Sequence, residues 1–177
     1  MHPRTDVLSA HTNTIRKLRP DDVPVLESIL RRTGVFSGDE ITVALELMEV
    51  FLNIPGQRDY DIYSSVDEHG TPQGYVCIGP TPMTAGTYDL YWIAVDPDLH
   101  GRGIGKQLQR FTEELVASQG GRLIIAETSS RPDYENTRRF YLTLGYAEVA
   151  RITDYYKIGD DLVVYGKYVS QYKEHSN

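Results

Sequence analysis

A chain with a single cysteine, Cys77, can close no disulfide on itself. A crosslinked scaffold is excluded, and a reducing compartment, by default the cytoplasm, is expected. The five histidines show no metal-ligand spacing, so no metal is expected. No apolar run is long enough to span a bilayer, and Met1-His2-Pro3-Arg4-Thr5-Asp6 lacks the apolar core of a secretory signal. Positive charge is also scarce. Against 25 Asp and Glu stand 18 Lys and Arg, a formal charge of −7, with no basic cluster of the kind that grips nucleic acid. Membrane and nucleic acid are therefore set aside as partners, and an acidic surface suits a cationic one. Internal repeats and low-complexity segments are missing as well.

What remains is 177 residues, enough for one well-buried core. Residues 1–12 read as a flexible N-terminal tail, 13–170 as a single domain and 171–177 as a C-terminal tail. Within the domain, Thr14 to Arg19 alternates as a first strand and ends at Pro20. Asp21 or Asp22 is expected to cap a helix running to about Arg32. Ser37-Gly38-Asp39-Glu40 has the spacing of a capping box and opens a second helix to about Asn53. Strands are expected at Asp61 to Val66 and Gln73 to Ile78, joined by the turn Asp67-Glu68-His69-Gly70. A third runs from Tyr88 to Val95, aromatic and β-branched as a buried strand should be. Arg122 to Glu127, Ala147 to Ile152 and Leu162 to Tyr168 complete the strands, with a short helix over about Asn136 to Leu144.

The most telling stretch is Leu99-His100-Gly101-Arg102-Gly103-Ile104-Gly105-Lys106. It follows the Tyr88 to Val95 strand and opens a helix on which Ile104, Leu108, Phe111 and Leu115 recur at helical spacing. Glycines at a helix mouth let a ligand approach the backbone closely, and the unpaired N–H groups there attract anions. A phosphate-bearing ligand fits this pattern, and so does a helix start whose glycines serve tight packing. A Walker loop would need glycine at 100 and a hydroxyl at 107, where His100 and Gln107 stand. The dinucleotide fingerprint would need glycine at Lys106 or at Leu108. Neither applies.

The surviving arrangement, with His100, Gly103 and Gly105 in its three key positions, resembles the pyrophosphate loop of the GNAT superfamily of acetyl-CoA-dependent N-acetyltransferases. In that family the first position is Gln or Arg, so His100 departs from the pattern. A second segment, Glu135-Asn136-Thr137-Arg138-Arg139-Phe140-Tyr141-Leu142-Thr143-Leu144-Gly145-Tyr146, is similar to the family's other signature, in which Asn is followed by Phe-Tyr and then Gly-Tyr. Gly145 would stop its helix as a left-handed cap. The resemblance implies an α/β GNAT fold, a mixed six- to seven-stranded sheet flanked by about four helices. It spans about residues 14 to 169 and is specific in the second half.

The resemblance also implies roles. Backbone groups of Gly101, Arg102, Gly103, Ile104, Gly105 and Lys106, with His100 beside them, would hold the pyrophosphate of acetyl-CoA, the co-substrate. The strand end Ile93-Ala94-Val95 would splay from its neighbour and offer its backbone to the pantetheine arm and thioester, with Asn136 adding a hydrogen bond. Arg138 and Arg139 either reach the adenosine 3′-phosphate or form a solvated helix face. Tyr141 would protonate the departing thiolate. Glu127, expected at the end of its strand, is the first choice of general base, with Asp89 second and a water chain as a third route. The acceptor would meet the thioester near Val35, Phe36, Asp39, Tyr134, Asp154, Tyr155, Tyr156, Asp160 and Asp161, with Phe36, Asp89, Tyr134 and Tyr155 as its contacts. Carboxylates beside tyrosines suit an ammonium group. The expected activity is acetyl transfer by direct attack of a small cationic amine or amino-acid-like metabolite. The alternatives are a protein N-terminal or lysine acetyltransferase and a non-catalytic acetyl-CoA sensor. Dimers are common in the superfamily, which leaves a homodimer open.

Overall fold

The computed structural model describes residues 13–170, and the two expected tails, 1–12 and 171–177, lie outside the described residues. Seven strands form one sheet: β1 (Thr14–Lys17), β2 (Asp61–Val66), β3 (Pro72–Pro80), β4 (Thr87–Val95), β5 (Leu123–Ser129), β6 (Ala147–Lys157) and β7 (Asp160–Tyr168). Their order across the sheet is β1-β2-β3-β4-β5-β7-β6. Four helices flank it: α1 (Val23–Thr33), α2 (Gly38–Asn53), α3 (Ile104–Ser118) and α4 (Glu135–Thr143). Every neighbouring pair is antiparallel except β4 and β5. Parallel strands need a crossover, and α3 provides it.

Each face of the sheet has its own core. On one, Leu26, Ile29 and Leu30 of α1 and Ile41, Ala44 and Met48 of α2 meet Ile62, Tyr75, Cys77 and Ala94. On the other, Ile104, Leu108 and Val116 of α3 and Tyr141 of α4 meet Val76, Ile78, Leu90, Ile124, Val163 and Tyr165. Covered on both sides, β3 is buried over most of its length, so its sequence does not alternate. Cys77 sits mid-strand in this interior, where burial pushes its thiol up to about 12, and it packs rather than reacts.

The local signals behave as their chemistry requires at two helix ends. Ser37 Oγ accepts from the Glu40 N–H at 3.2 Å and the Ser37 N–H donates to Glu40 Oε2 at 2.7 Å, closing the capping box of α2. Gly145 follows α4 at φ +83°, a conformation that a side chain would strain. At α1 the expectation is corrected. Pro20–Asp22 form a 3-10 turn, and Asp22 does not cap the helix with its side chain. Its carboxylate points inward instead, accepting from Arg16 Nη1 at 2.7 Å, Arg16 Nη2 at 2.9 Å, Ser64 Oγ at 2.9 Å and the Arg19 N–H at 3.0 Å.

Burial alone would raise the Asp22 carboxyl, but these hydrogen bonds and the charge of Arg16 outweigh it and hold the group below its ordinary value. A carboxyl depressed in the folded state stabilises above its unfolded value, near 3.9, and loses that contribution as pH falls through the folded one. Asp22→Asn is therefore expected to cost about 3 kcal/mol at pH 7, because Arg16 loses its partner. The gap to the parent protein should close as pH drops from about 5 toward 2. Urea unfolding at several pH values checks this, and a gap independent of pH would contradict it.

One irregularity positions everything that follows. Cys77 pairs with Trp92 and Ile78 with Leu90, which leaves Tyr91 as an extra residue, a β-bulge in β4. Bulges increase local twist. Beside it, β4 pairs with β5 only from Thr87 opposite Leu123 to Asp89 opposite Ile125, and then the strands part. From there β5 follows β7 out to Ser129, so Glu127 stands inside a strand, not at the strand end the sequence suggested.

Candidate active site

The parting of β4 and β5 opens a cleft of about 710 Å³. Leu90–Ile93 of β4 form one wall, and Glu127–Ser129 of β5 form the other. Thr137 and Tyr141 close it on the α4 side. Phe36, Ser37 and Glu40 approach from the junction of α1 and α2, and Tyr156 and Lys157 at the end of β6 and Asp160 at the start of β7 come from either side of the turn that joins them. Beyond Asp89 the edge of β4 that faces β5 has no strand partner, so its N–H and C=O groups, those of Ile93 among them, face the opening.

Tyr141 is 4% exposed and held by three aromatic rings. Its ring stacks on Tyr165 at 5.6 Å between centroids, with Phe140 and Tyr146 packed against it. Burial pushes its phenol well above the ordinary value, so it keeps its proton across the neutral range. Glu127 and Asp89 both line the cleft. Tyr134 does too; it donates from its hydroxyl to Glu40 Oε1 at 3.3 Å and lies under the Arg131 guanidinium at 5.0 Å.

Beyond the end of β4, the glycine loop turns into α3. Gly101 and Gly103 hold φ of +80° and +83°, and a Cβ built on either would meet nothing within 4 Å. Glycine is required here by backbone conformation, not by crowding. Gly105 differs: its Cβ would lie 3.2 Å from the Phe140 ring, so it lets α3 approach α4. Gly103 caps α3 without any side-chain acceptor, and no acidic residue occupies the first turn. The first intrahelical bond runs from the Gln107 N–H to the Gly103 carbonyl, which leaves the N–H groups of Ile104, Gly105 and Lys106 unpaired. Such a terminus takes an anion readily. Arg102 and Lys106 are exposed beside it and form no ion pair among the described residues. Bare amides with flanking cations fit the diphosphate of coenzyme A.

Some expected residues stand elsewhere. His100 is exposed, and its Nε2 lies 3.2 Å from the Val95 carbonyl, tying the loop to the strand. That carbonyl is thereby engaged, and Ala94 faces the core under α1 and α2. Asn136 is exposed and outside the lining, which contains its neighbour Thr137. Arg138 donates to the carbonyls of Ser129 at 2.7 Å and Arg131 at 2.9 Å, bracing that loop, while Arg139 pairs with Glu135 on the surface. Tyr155 is 55% exposed, and Tyr156, not Tyr155, lines the cleft. Asp154 and Asp161 shape the β6–β7 turn: Asp154 accepts from the Gly159 N–H, and Asp161 accepts from the Asp154 N–H and pairs with Arg151. Val35 and Asp39 are also outside the lining. Three lining residues, Glu40, Trp92 and Arg131, had no mark in the sequence beyond ordinary capping, strand and loop roles.

The comparisons agree with this geometry. A model of the acetyltransferase (GNAT) family matches residues 33–146. The L-2,4-diaminobutyric acid acetyltransferase of Streptomyces coelicolor is 30% identical over 97 residues, 54% of this chain and 56% of that protein. The match thus spans about half the length of that curated relative. A crystal structure from Desulfovibrio desulfuricans, described as an acetyltransferase of the GNAT family, has a TM-score of 0.85 at 36% identity, covering 90% of this chain and 100% of the other. The ribosomal-protein-S18-alanine N-acetyltransferase of Escherichia coli has a TM-score of 0.71 at 22% identity, covering 94% and 99%, and so speaks for the fold alone. The family model covers well over half of the chain, and the sheet, the parted strands and the uncapped α3 agree with it: this chain belongs to the GNAT family of acetyltransferases.

Proposed function

We propose that the domain 13–170 transfers the acetyl group of acetyl-CoA to the primary amine of a small cationic or amino-acid-like acceptor. The observation that carries this reading is the parting of β4 and β5, with an acidic, tyrosine-rich wall on one side and a buried, protonated phenol on the other. In this reading the amides of Gly103 to Lys106 bind the diphosphate, with Gly101, Arg102 and His100 shaping the loop. The free edge of β4 around Ile93, Ala94 and Val95 lies along the pantetheine arm, with Asn136 near it.

Acetyl-CoA supplies the thioester carbonyl, and this chain supplies position and protons. The attacking nitrogen must be neutral. Glu127 takes the proton that the amine releases as the new C–N bond forms, and Tyr141 gives its proton to the sulfur as the C–S bond breaks. Phe36, Asp89 and Tyr134 orient the acceptor, and Tyr156 takes the part expected of Tyr155. The Streptomyces coelicolor relative, whose name specifies a diamino acid, supports a small amine. A free, buried Cys77 suits a cytoplasmic setting.

Thiol release from acetyl-CoA over a panel of small amines, amino acids and peptides tests the proposal. Small cationic amines are expected to turn over at least about tenfold more efficiently than peptides with a free N-terminus, a difference of about 1.4 kcal/mol in transition-state binding. Release only with peptides would move the assignment to protein acetylation.

A further inference from the structure

The cleft holds four carboxylates, Glu40, Asp89, Glu127 and Asp160, and none of them forms an ion pair among the described residues. Asp160 is the telling one. It is 3% exposed, and among the described residues its side chain accepts a hydrogen bond from Ser129 Oγ alone. A buried carboxylate without a cation is costly and ordinarily has a partner. The neighbouring turn shows the contrast, since Asp161 is satisfied by Arg151 and the Asp154 N–H. Two cations line the cleft. Arg131 is shared among Asp133, the Val35 carbonyl, the Tyr134 ring and, at longer range, the charge of Asp160, and Lys157 is exposed at the rim.

The reacting nitrogen cannot supply the missing charge. It attacks as a neutral amine, and one carboxylate suffices to take its proton. Two cations against four carboxylates leave the cleft negative, and a second cationic group on the acceptor matches that excess. We propose, resting on the amine-acetyltransferase reading above, that the acceptor carries a second, permanently protonated amine or guanidine, and that Asp160 binds it. Glu40 lies in the same cleft, and Tyr134 and Tyr156 present aromatic walls to such a cation. Asp160 is thus a specificity-determining residue, distinct from the groups that handle the reacting nitrogen.

The test compares 1,3-diaminopropane, 1,4-diaminobutane and 2,4-diaminobutyrate with propylamine, butylamine and 2-aminobutyrate, by thiol release with the full chain and acetyl-CoA. In the parent protein kcat/KM for the diamines is expected to exceed that of the matched monoamines at least about tenfold. Asp160→Asn should raise KM for the diamines about tenfold, and by more than it raises KM for the matched monoamines. Equal efficiency for matched pairs in the parent protein overturns the proposal, and that comparison needs no variant. So does a diamine preference that survives Asp160→Asn in protein whose thermal midpoint and acetyl-CoA affinity match the parent. If no small amine is acetylated, the transfer reading fails separately, and calorimetry of the same six compounds decides the anchor. Preferential diamine binding supports it, and equal or no binding removes it.

Discussion

Replacing Tyr141 with phenylalanine is expected to lower kcat by about 10²- to 10³-fold, the range for loss of a positioned general acid. Affinity for acetyl-CoA should stay within about twofold, because the change removes an interaction made mainly in the transition state. The structure makes this substitution clean. Tyr141 is held by ring contacts with Phe140, Tyr146 and Tyr165, all of which a phenylalanine keeps. Its hydroxyl has no hydrogen-bond partner among the described residues, so removing it orphans nothing. Since burial raises the phenol, the parent enzyme should show no loss of kcat from deprotonation of Tyr141 as pH climbs through the ordinary tyrosine range. Stopped-flow thiol release together with calorimetry of acetyl-CoA binding separates the two parameters. An unchanged kcat would remove Tyr141 from the acid role, whereas a parallel loss of affinity would make it a packing residue.

That role could be proposed from sequence because the α4 segment is written in local chemistry. Phe140 and Tyr141 lie on adjoining faces of one helix, and Gly145 ends it at a positive φ that glycine tolerates. The capping box at Ser37 and Glu40 and the aromatic, β-branched run of β4 are legible for the same reason: the signals lie within a few residues of the structure they cause. The bulge at Tyr91 is not. The run Tyr88 to Val95 reads as an uninterrupted strand, and the extra residue exists only relative to Cys77 and Ile78 on the neighbouring strand.

The cleft inherits that difficulty. Asp160 and Asp161 are adjacent and chemically identical, yet one is buried against Ser129, 31 residues away, and the other pairs with Arg151. Only the register of β5 against β7, with Ser129 opposite Leu162, separates them. Tyr155 and Tyr156, as neighbours in one strand, face opposite ways, and which of them meets the cleft depends on the irregular stretch of β6 in which Asp154 stands at φ +53°. Asp22 looked like a helix cap because its neighbours resemble one. Its true partners, Arg16 and Ser64, come from two strands that a one-dimensional reading cannot bring together.

Gly103→Val is expected to weaken acetyl-CoA binding by about 10²- to 10⁴-fold, from the loss of two charge-assisted hydrogen bonds at about 1.5–3 kcal/mol each. Nothing within 4 Å would collide with a Cβ at this position, so packing is not at issue. The backbone is. At φ +83° a β-branched residue is strained by about 1–3 kcal/mol, and the loop relieves that strain by rotating. Rotation carries the amides of Ile104 and Gly105 away from the direction in which the uncapped end of α3 presents them. Asn tolerates the left-handed region better than other residues, so Gly103→Asn should retain more affinity than the valine variant. The thermal midpoint should move only a few degrees in either, since position 103 is exposed and touches no core side chain. Calorimetry with acetyl-CoA on the parent and both variants provides the measurement. Tight binding retained by the valine variant would mean that the coenzyme diphosphate lies elsewhere, and the acetyl-CoA site would then have to be sought away from the mouth of α3.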